Sequence, residues 1–248
     1  MGAVSLVTAY FQLGNPKHSS NYYDKGLQSL IAIATSRELS SLSYSPTLTI
    51  FTDVKLKSKR SNLHIQNIEP CQLPNGPIAL SETGFYCSLK MKLLQRGQHG
   101  ILKHLNCVWL NKFHFMLRSI YEDTSYVIWI DVGLFKCMNS LLWMLHNTSL
   151  SGSEGFIAVR RDLPQRPSHY FGSKFCTKVF RPYIRAGVML TDARELHRVV
   201  NNFDKILREH VKEKTECQCF DEEAIMSLAF SCATLSNASS IIHCNATL

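Results

Sequence analysis

The chain has 248 residues, of which 45% are hydrophobic and 19% charged, with a formal net charge of +8. That apolar content is enough for one large α/β core, and the modest charge density excludes an intrinsically disordered chain. No apolar run reaches the roughly 18 residues of a membrane-spanning helix, and the basic balance fits anionic partners, from nucleic acid and acidic glycans to a nucleotide diphosphate.

Val4 to Phe11 (VSLVTAYF) is a short apolar, β-branched run that reads as a buried first strand. The start Met1 to Phe11 lacks a basic region and a small-residue cleavage site, so no signal peptide is expected, and Leu6 stands where a myristoylation signal needs Ser or Thr. The resulting expectation is a soluble cytoplasmic protein, with a lumenal location left open. A polar loop carrying Gly14 and Pro16 follows. Leu27, Leu30, Ile31 and Ala34 then recur at helical spacing. Leu48 to Phe51 reads as a second buried strand closed by Thr52-Asp53, and Leu63 to Ile68 as a third.

Pro70, Pro74, Pro77 and several glycines predict a long irregular loop over 70–100, with a short helix near Leu89 to Leu94. Val108 to Ile120 is expected to form one helix. Tyr126 to Ile130 (YVIWI) is the strongest strand signal and ends at Asp131-Val132-Gly133. Ser140 to His146 reads as a short helix, Phe156 to Val159 and Ala186 to Leu190 as strands, and Leu196 to Leu207 as a long amphipathic helix. Asp221 to Ala229 opens a helix with acids in its first turn, and Ser240 to His243 is a terminal strand. Strands alternating with helices predict an α/β class with a mostly parallel sheet in a single domain over residues 1–248. Ligands of such sheets sit beyond the carboxyl ends of the strands, where Asp53 and Asp131 fall.

Nine cysteines are scattered without regular spacing, and an odd count of this kind reads as reduced thiols. Cys217 and Cys219 form C-x-C with no second pair, which is not a zinc pattern. Asn147, Asn237 and Asn245 open glycosylation triplets that matter only in a secretory lumen.

The chemistry-bearing stretches come in a definite order: Lys112 on a helix, YVIWIDVG over Tyr126 to Gly133, RAGVML over Arg185 to Leu190, and CFDEEAIM over Cys219 to Met226. That order resembles the GT-A glycosyltransferases. The opening VTAYFQLG, the FTD of Phe51 to Asp53 and the WIDVG of Trp129 to Gly133 look most like the HtrL/YibB-type group of glycosyltransferase-like proteins. The resemblance spans roughly Val4 to Ser227.

It implies a GT-A-like nucleotide-diphospho-sugar transferase domain that moves a sugar from a nucleotide-linked donor, by default UDP-linked, to a glycan or glycoconjugate acceptor. It implies donor contacts at Thr8, Ala9, Tyr10, Asp53, Lys112, Asp131 and Gly133. Arg185, Ala186 and Gly187 would shape the acceptor side, and Asp221 and Glu222 would face the reacting sugar, one of them acting as base on the acceptor hydroxyl. The leaving diphosphate gains charge that a divalent metal, Mn²⁺ or Mg²⁺, or cationic side chains must meet.

Two features separate this chain from the common pattern. Gly133 replaces the second carboxylate of D-x-D, which leaves Asp131, with His243 as a further ligand, to hold any metal. Lys112, Arg160, Arg161 and Arg185 are the cationic alternative. Arg185 also replaces the Asn usual in that strand. A Rossmann dehydrogenase, a P-loop NTPase and a serine hydrolase are excluded, because G-x-G-x-x-G, the Walker lysine and G-x-S-x-G are all missing. A non-catalytic nucleotide-sugar or glycan-binding protein on the same fold is the main alternative. The basic, aromatic segment from Arg160 to Arg185 raises nucleic-acid binding as a third reading, but no RRM, KH or OB pattern accompanies it. Nucleic acid is therefore not expected as a partner.

Overall fold

The computed structural model describes residues 3–12, 20–36, 46–57, 60–81, 99–133, 157–161, 183–212 and 242–243. The elements are β1 (Ala3–Tyr10), α1 (Ser20–Ala34), β2 (Thr47–Thr52), β3 (Leu63–Asn67), a 3₁₀ turn (Pro70–Gln72), α2 (Gly76–Ser81), α3 (His99–Trp109), α4 (Lys112–Arg118), β4 (Thr124–Ile130), β5 (Ile157–Arg161), β6 (Tyr183–Asp192), α5 (Ala193–Lys212) and β7 (Ile242–His243). The strands form one sheet in the order β3-β2-β1-β4-β6-β5-β7. β1, β2, β3 and β4 pair in parallel, β6 runs antiparallel to both β4 and β5, and β7 is parallel to β5. The expected α/β class with a mostly parallel central sheet and flanking helices is what these residues form.

The two-residue period of the strands sorts their side chains into two cores. On one face, Val4, Leu6, Leu48, Ile50, Ile128 and Ile130 pack against Leu27, Leu30 and Ile33 of α1. On the other, Val7, Phe51, Val127, Trp129 and Met189 meet α3, α4 and α5 through Cys107, Phe113, Phe115, Met116, Leu196 and Phe203. Burial on both faces explains why these strands read as unbroken apolar runs rather than as alternating ones.

Three expectations change. The single helix over Val108–Ile120 is two helices. The chain leaves α3 at Leu110-Asn111, where the Asn111 side chain donates to the Cys107 carbonyl (2.7 Å) and accepts from the Asn75 backbone N–H (3.0 Å). A side chain that satisfies backbone groups in this way competes with helix continuation. The irregular loop over 70–100 holds a 3₁₀ turn and α2, with Pro70 and Pro77 in first turns, where a missing N–H costs nothing. Finally, Cys71 and Cys107 are joined in a disulfide (Cα–Cα 5.0 Å), so the reduced-thiol reading fails for this pair. The helices expected at Leu89–Leu94, Ser140–His146 and Asp221–Ala229 lie outside the described residues. No helix among the described residues is long and apolar enough to cross a membrane.

Candidate functional site

The period of β4 decides where Asp131 goes. Val127 and Trp129 face the α4 side of the sheet, and Asp131, two residues further, continues that face. The break at Asn111 sets Lys112 at the first position of α4, under the end of β4. Lys112 Nζ lies 3.0 Å from Asp131 Oδ2, with the lysine side chain 1% exposed and the aspartate 36% exposed. The Trp129 indole Nε1 donates to Asp131 Oδ1 (2.8 Å). The Lys112 ammonium also sits 5.6 Å from the centre of the Trp129 ring, within cation–π range. The pair has one desolvated member and one that still faces water. A carboxylate offers about four lone-pair positions, so two of them remain on the solvent side.

This group stands where the parallel strand order reverses. β1 lies between β2 and β4, and the crevice beyond their carboxyl ends is the usual ligand position of such sheets. At the neighbouring strand ends, the Gln12 backbone N–H donates to Asp53 Oδ1 (3.1 Å), which ties the exit of β1 to that of β2. Asp53 is exposed. Thr8 is fully buried, and its hydroxyl donates to the Ile130 carbonyl (2.6 Å), so it locks β1 to β4. The Tyr10 phenol donates to Asp24. Burial pushes the Tyr10 phenol pKa up, and the bond to Asp24 pushes it further the same way. Ala9 is partly buried between them.

The first turn of α1 closes over the other side. Tyr22 donates its hydroxyl to the Gly133 carbonyl (2.8 Å), and a Cβ on Gly133 would lie 3.2 Å from the Tyr23 ring. A side chain at the position of the missing second carboxylate would have to push Tyr23 aside. Gly26 is tighter still, since a Cβ there would come within 1.9 Å of the Val132 carbonyl oxygen.

Gly187 comes to the same place by a bulge. β5 pairs Ala158 with Met189 and then Val159 with Arg185, so Ala186, Gly187 and Val188 stand opposite a single step of β5. On the other side of β6 the Gly187 carbonyl accepts the Asp131 backbone N–H (2.7 Å). Bulges of this kind re-aim the chain beside sites. Past the bulge, Arg185, Arg160 and Arg161 lie on paired stretches of β6 and β5 that extend beyond the end of β4.

The structure thus brings Thr8, Ala9, Tyr10, Asp53, Lys112, Asp131, Gly133 and Gly187 to one end of the sheet. His243 is on β7, separated from β4 by β6 and β5, or about 14 Å of sheet at the usual strand spacing. Asp221 and Glu222 lie outside the described residues. A hard divalent ion wants several oxygen ligands. Among the described residues, Asp131 carries Lys112 and Trp129, Gly133 offers no carboxylate, and His243 belongs to another strand. No group of three or more metal-ligating side chains among the described residues includes Asp131. Trp129, Gln12, Tyr22, Tyr23 and Asp24 are parts of the site that the strand-end rule alone does not find. The adjacent tyrosines just before an amphipathic run were the available signal. No protein-family model matches this chain, and no curated protein matches it in sequence.

Proposed function

We propose that the chain is a glycosyltransferase that uses a nucleotide-sugar donor, on a GT-A-like domain. The observation that carries this reading is the Lys112–Asp131–Trp129 group at the crevice of β1 and β4. A carboxylate held by a buried lysine and an indole, with lone pairs left toward solvent, is built to accept hydrogen bonds from vicinal hydroxyls such as those of a ribose. In this reading cationic side chains meet the charge of the leaving diphosphate, and Arg160, Arg161 and Arg185, on the stretches of β5 and β6 beyond the end of β4, are the candidates. The bulge at Ala186–Gly187 bounds the acceptor side, and Asp221 or Glu222 supplies the base. A uridine nucleotide is the first donor to test. The alternative, a binding protein without transfer activity, is favoured by one observation: Gly133 stands where the D-x-D pattern has its second carboxylate.

The test is thermal shift with a panel of nucleotide diphosphates and nucleotide sugars, in EDTA and in Mn²⁺. A donor at 100 times its Kd stabilises by about 2.7 kcal/mol. One nucleotide class should raise the midpoint, equally in both buffers. The double variant K112M/D131N neutralises the pair together, so neither charge is left unpaired, and should lose the shift. No shift with any donor sinks the donor-binding reading; a shift without sugar transfer or hydrolysis leaves the binding-only protein.

A further inference from the structure

A second cluster lies beyond edge strand β3, where the 3₁₀ turn that follows it meets α3. One ligand atom each from Glu69, Cys71 and His104 lies within 4.8 Å of the other two. Glu69 and His104 are exposed and Cys71 is partly buried. Glu69 precedes the turn, but its carboxylate makes no capping bond to it. His104 and Cys107 are three residues apart on α3, hence on one face, and Cys107 is the residue bonded to Cys71. One sulfur therefore belongs to two arrangements, a disulfide with Cys107 or a ligand set with His104 and Glu69.

We propose that Cys71, His104 and Glu69 form a zinc site that opens when the Cys71–Cys107 disulfide is reduced. A thiol or phosphine reductant delivers two electrons, two protons are taken up, and the S–S bond gives two thiols. Zinc then displaces the proton of the Cys71 thiol and binds the thiolate, the His104 imidazole and a Glu69 oxygen, with water in the fourth position. Thiolate, imidazole and carboxylate are the ordinary zinc ligands, and a three-ligand set leaves the open position of such sites. In a tetrahedral set ligand atoms stand about 3.4–3.8 Å apart. The three groups need to draw in by about 1 Å, within the reach of two exposed side chains. In the oxidised chain the sulfur has no thiolate to offer, so the disulfide and the metal exclude each other.

Co²⁺ reports this directly, because a thiolate ligand gives a charge-transfer absorption that His and Glu do not. The full chain is titrated with Co²⁺ and then Zn²⁺, oxidised and after reduction, with Cys71→Ser as the background for the other cysteines. The expected result is a thiolate band above that background only in the reduced chain, removed by Zn²⁺. Glu69→Gln and His104→Ala should weaken the titration. Cys107→Ser, which leaves Cys71 a permanent thiol, should show the band without reductant. If that variant does not fold, the reduced wild-type chain makes the same test. Superimposable titrations of the reduced chain and Cys71→Ser would overturn the site, as would wild-type behaviour in both Glu69→Gln and His104→Ala. A full band in the oxidised chain would overturn the gating.

Discussion

At the residue scale, the Lys112–Asp131 pair is asymmetric, and that asymmetry can be measured. The lysine is desolvated, whereas the aspartate keeps a third of its surface. Asp131→Leu strands a buried ammonium without its counter-charge and is expected to cost about 3 kcal/mol in urea denaturation. Lys112→Met leaves a carboxylate that water can reach and replaces the stem with a side chain of similar shape. Its cost should be smaller, about 1–2 kcal/mol. Equal losses in the two variants would show that the pair is solvated evenly and that Lys112 is not the buried partner. The strand-end rule locates Asp131 from the sequence alone, and the resemblance points to Lys112. The sequence does not show that they touch, because a break at Asn111 inside an apparently continuous helix sets their meeting.

At the element scale, α5 is held at its start by Asp192. Its Oδ1 accepts the Arg194 backbone N–H (2.8 Å), and its two oxygens accept the Arg194 guanidinium (3.1 and 2.8 Å). The Arg194 hydrogen bonds lower the Asp192 pKa from its ordinary value, although burial opposes them. A carboxylate depressed in the folded state adds stability that is complete above its unfolded pKa and is lost as pH falls through the folded one. The window therefore lies below about pH 4. Asp192→Ala should cost about 1 kcal/mol at neutral pH. Asp192→Asn, which keeps a cap oxygen, should flatten the acid limb of a midpoint-versus-pH curve; an unchanged limb would remove Asp192 from the acid response. α1 gives the opposite lesson about glycine. Gly→Ala inside a helix ordinarily helps by about 1 kcal/mol. Gly26→Ala should instead destabilise by 1–3 kcal/mol or more, because the new carbon meets the Val132 carbonyl and α1 must lift off the β4 end. A rise in midpoint on Gly26→Ala would contradict that close approach. Helical spacing made α1 legible, but Gly26 reads in sequence as a mere weakness, since its reason lies in a contact about a hundred residues away along the chain.

At the scale of the whole molecule, the Cys71–Cys107 bond staples the segment after β3 to α3 across a sequence separation of 36. By the chain-entropy account, closing a loop of that size is worth about 3–4 kcal/mol. Reduction should lower the denaturation midpoint of the wild-type chain and leave Cys71→Ser unmoved. Equal midpoints with and without reductant would mean that packing of Cys71 and Cys107 in the core supplies the stability alone. An irregular, odd set of cysteines gives no sequence signal for such a pair, because pairing depends on a turn that brings residues 71 and 107 together. The parallel sheet was legible, since burial on both faces leaves unbroken apolar runs. The bulge of β6 was not, since it is defined by partners on two other strands. The central position of β1 also has a consequence in time. β1 must wait for β4, more than a hundred residues later, and Asp131 waits further for Gly187. At 5–20 residues per second, roughly 6–24 seconds of synthesis separate Tyr10 from Ile130. During that interval the strand at the heart of the sheet is without a neighbour on one side, and its unpaired edge is open to pairing with the wrong strand.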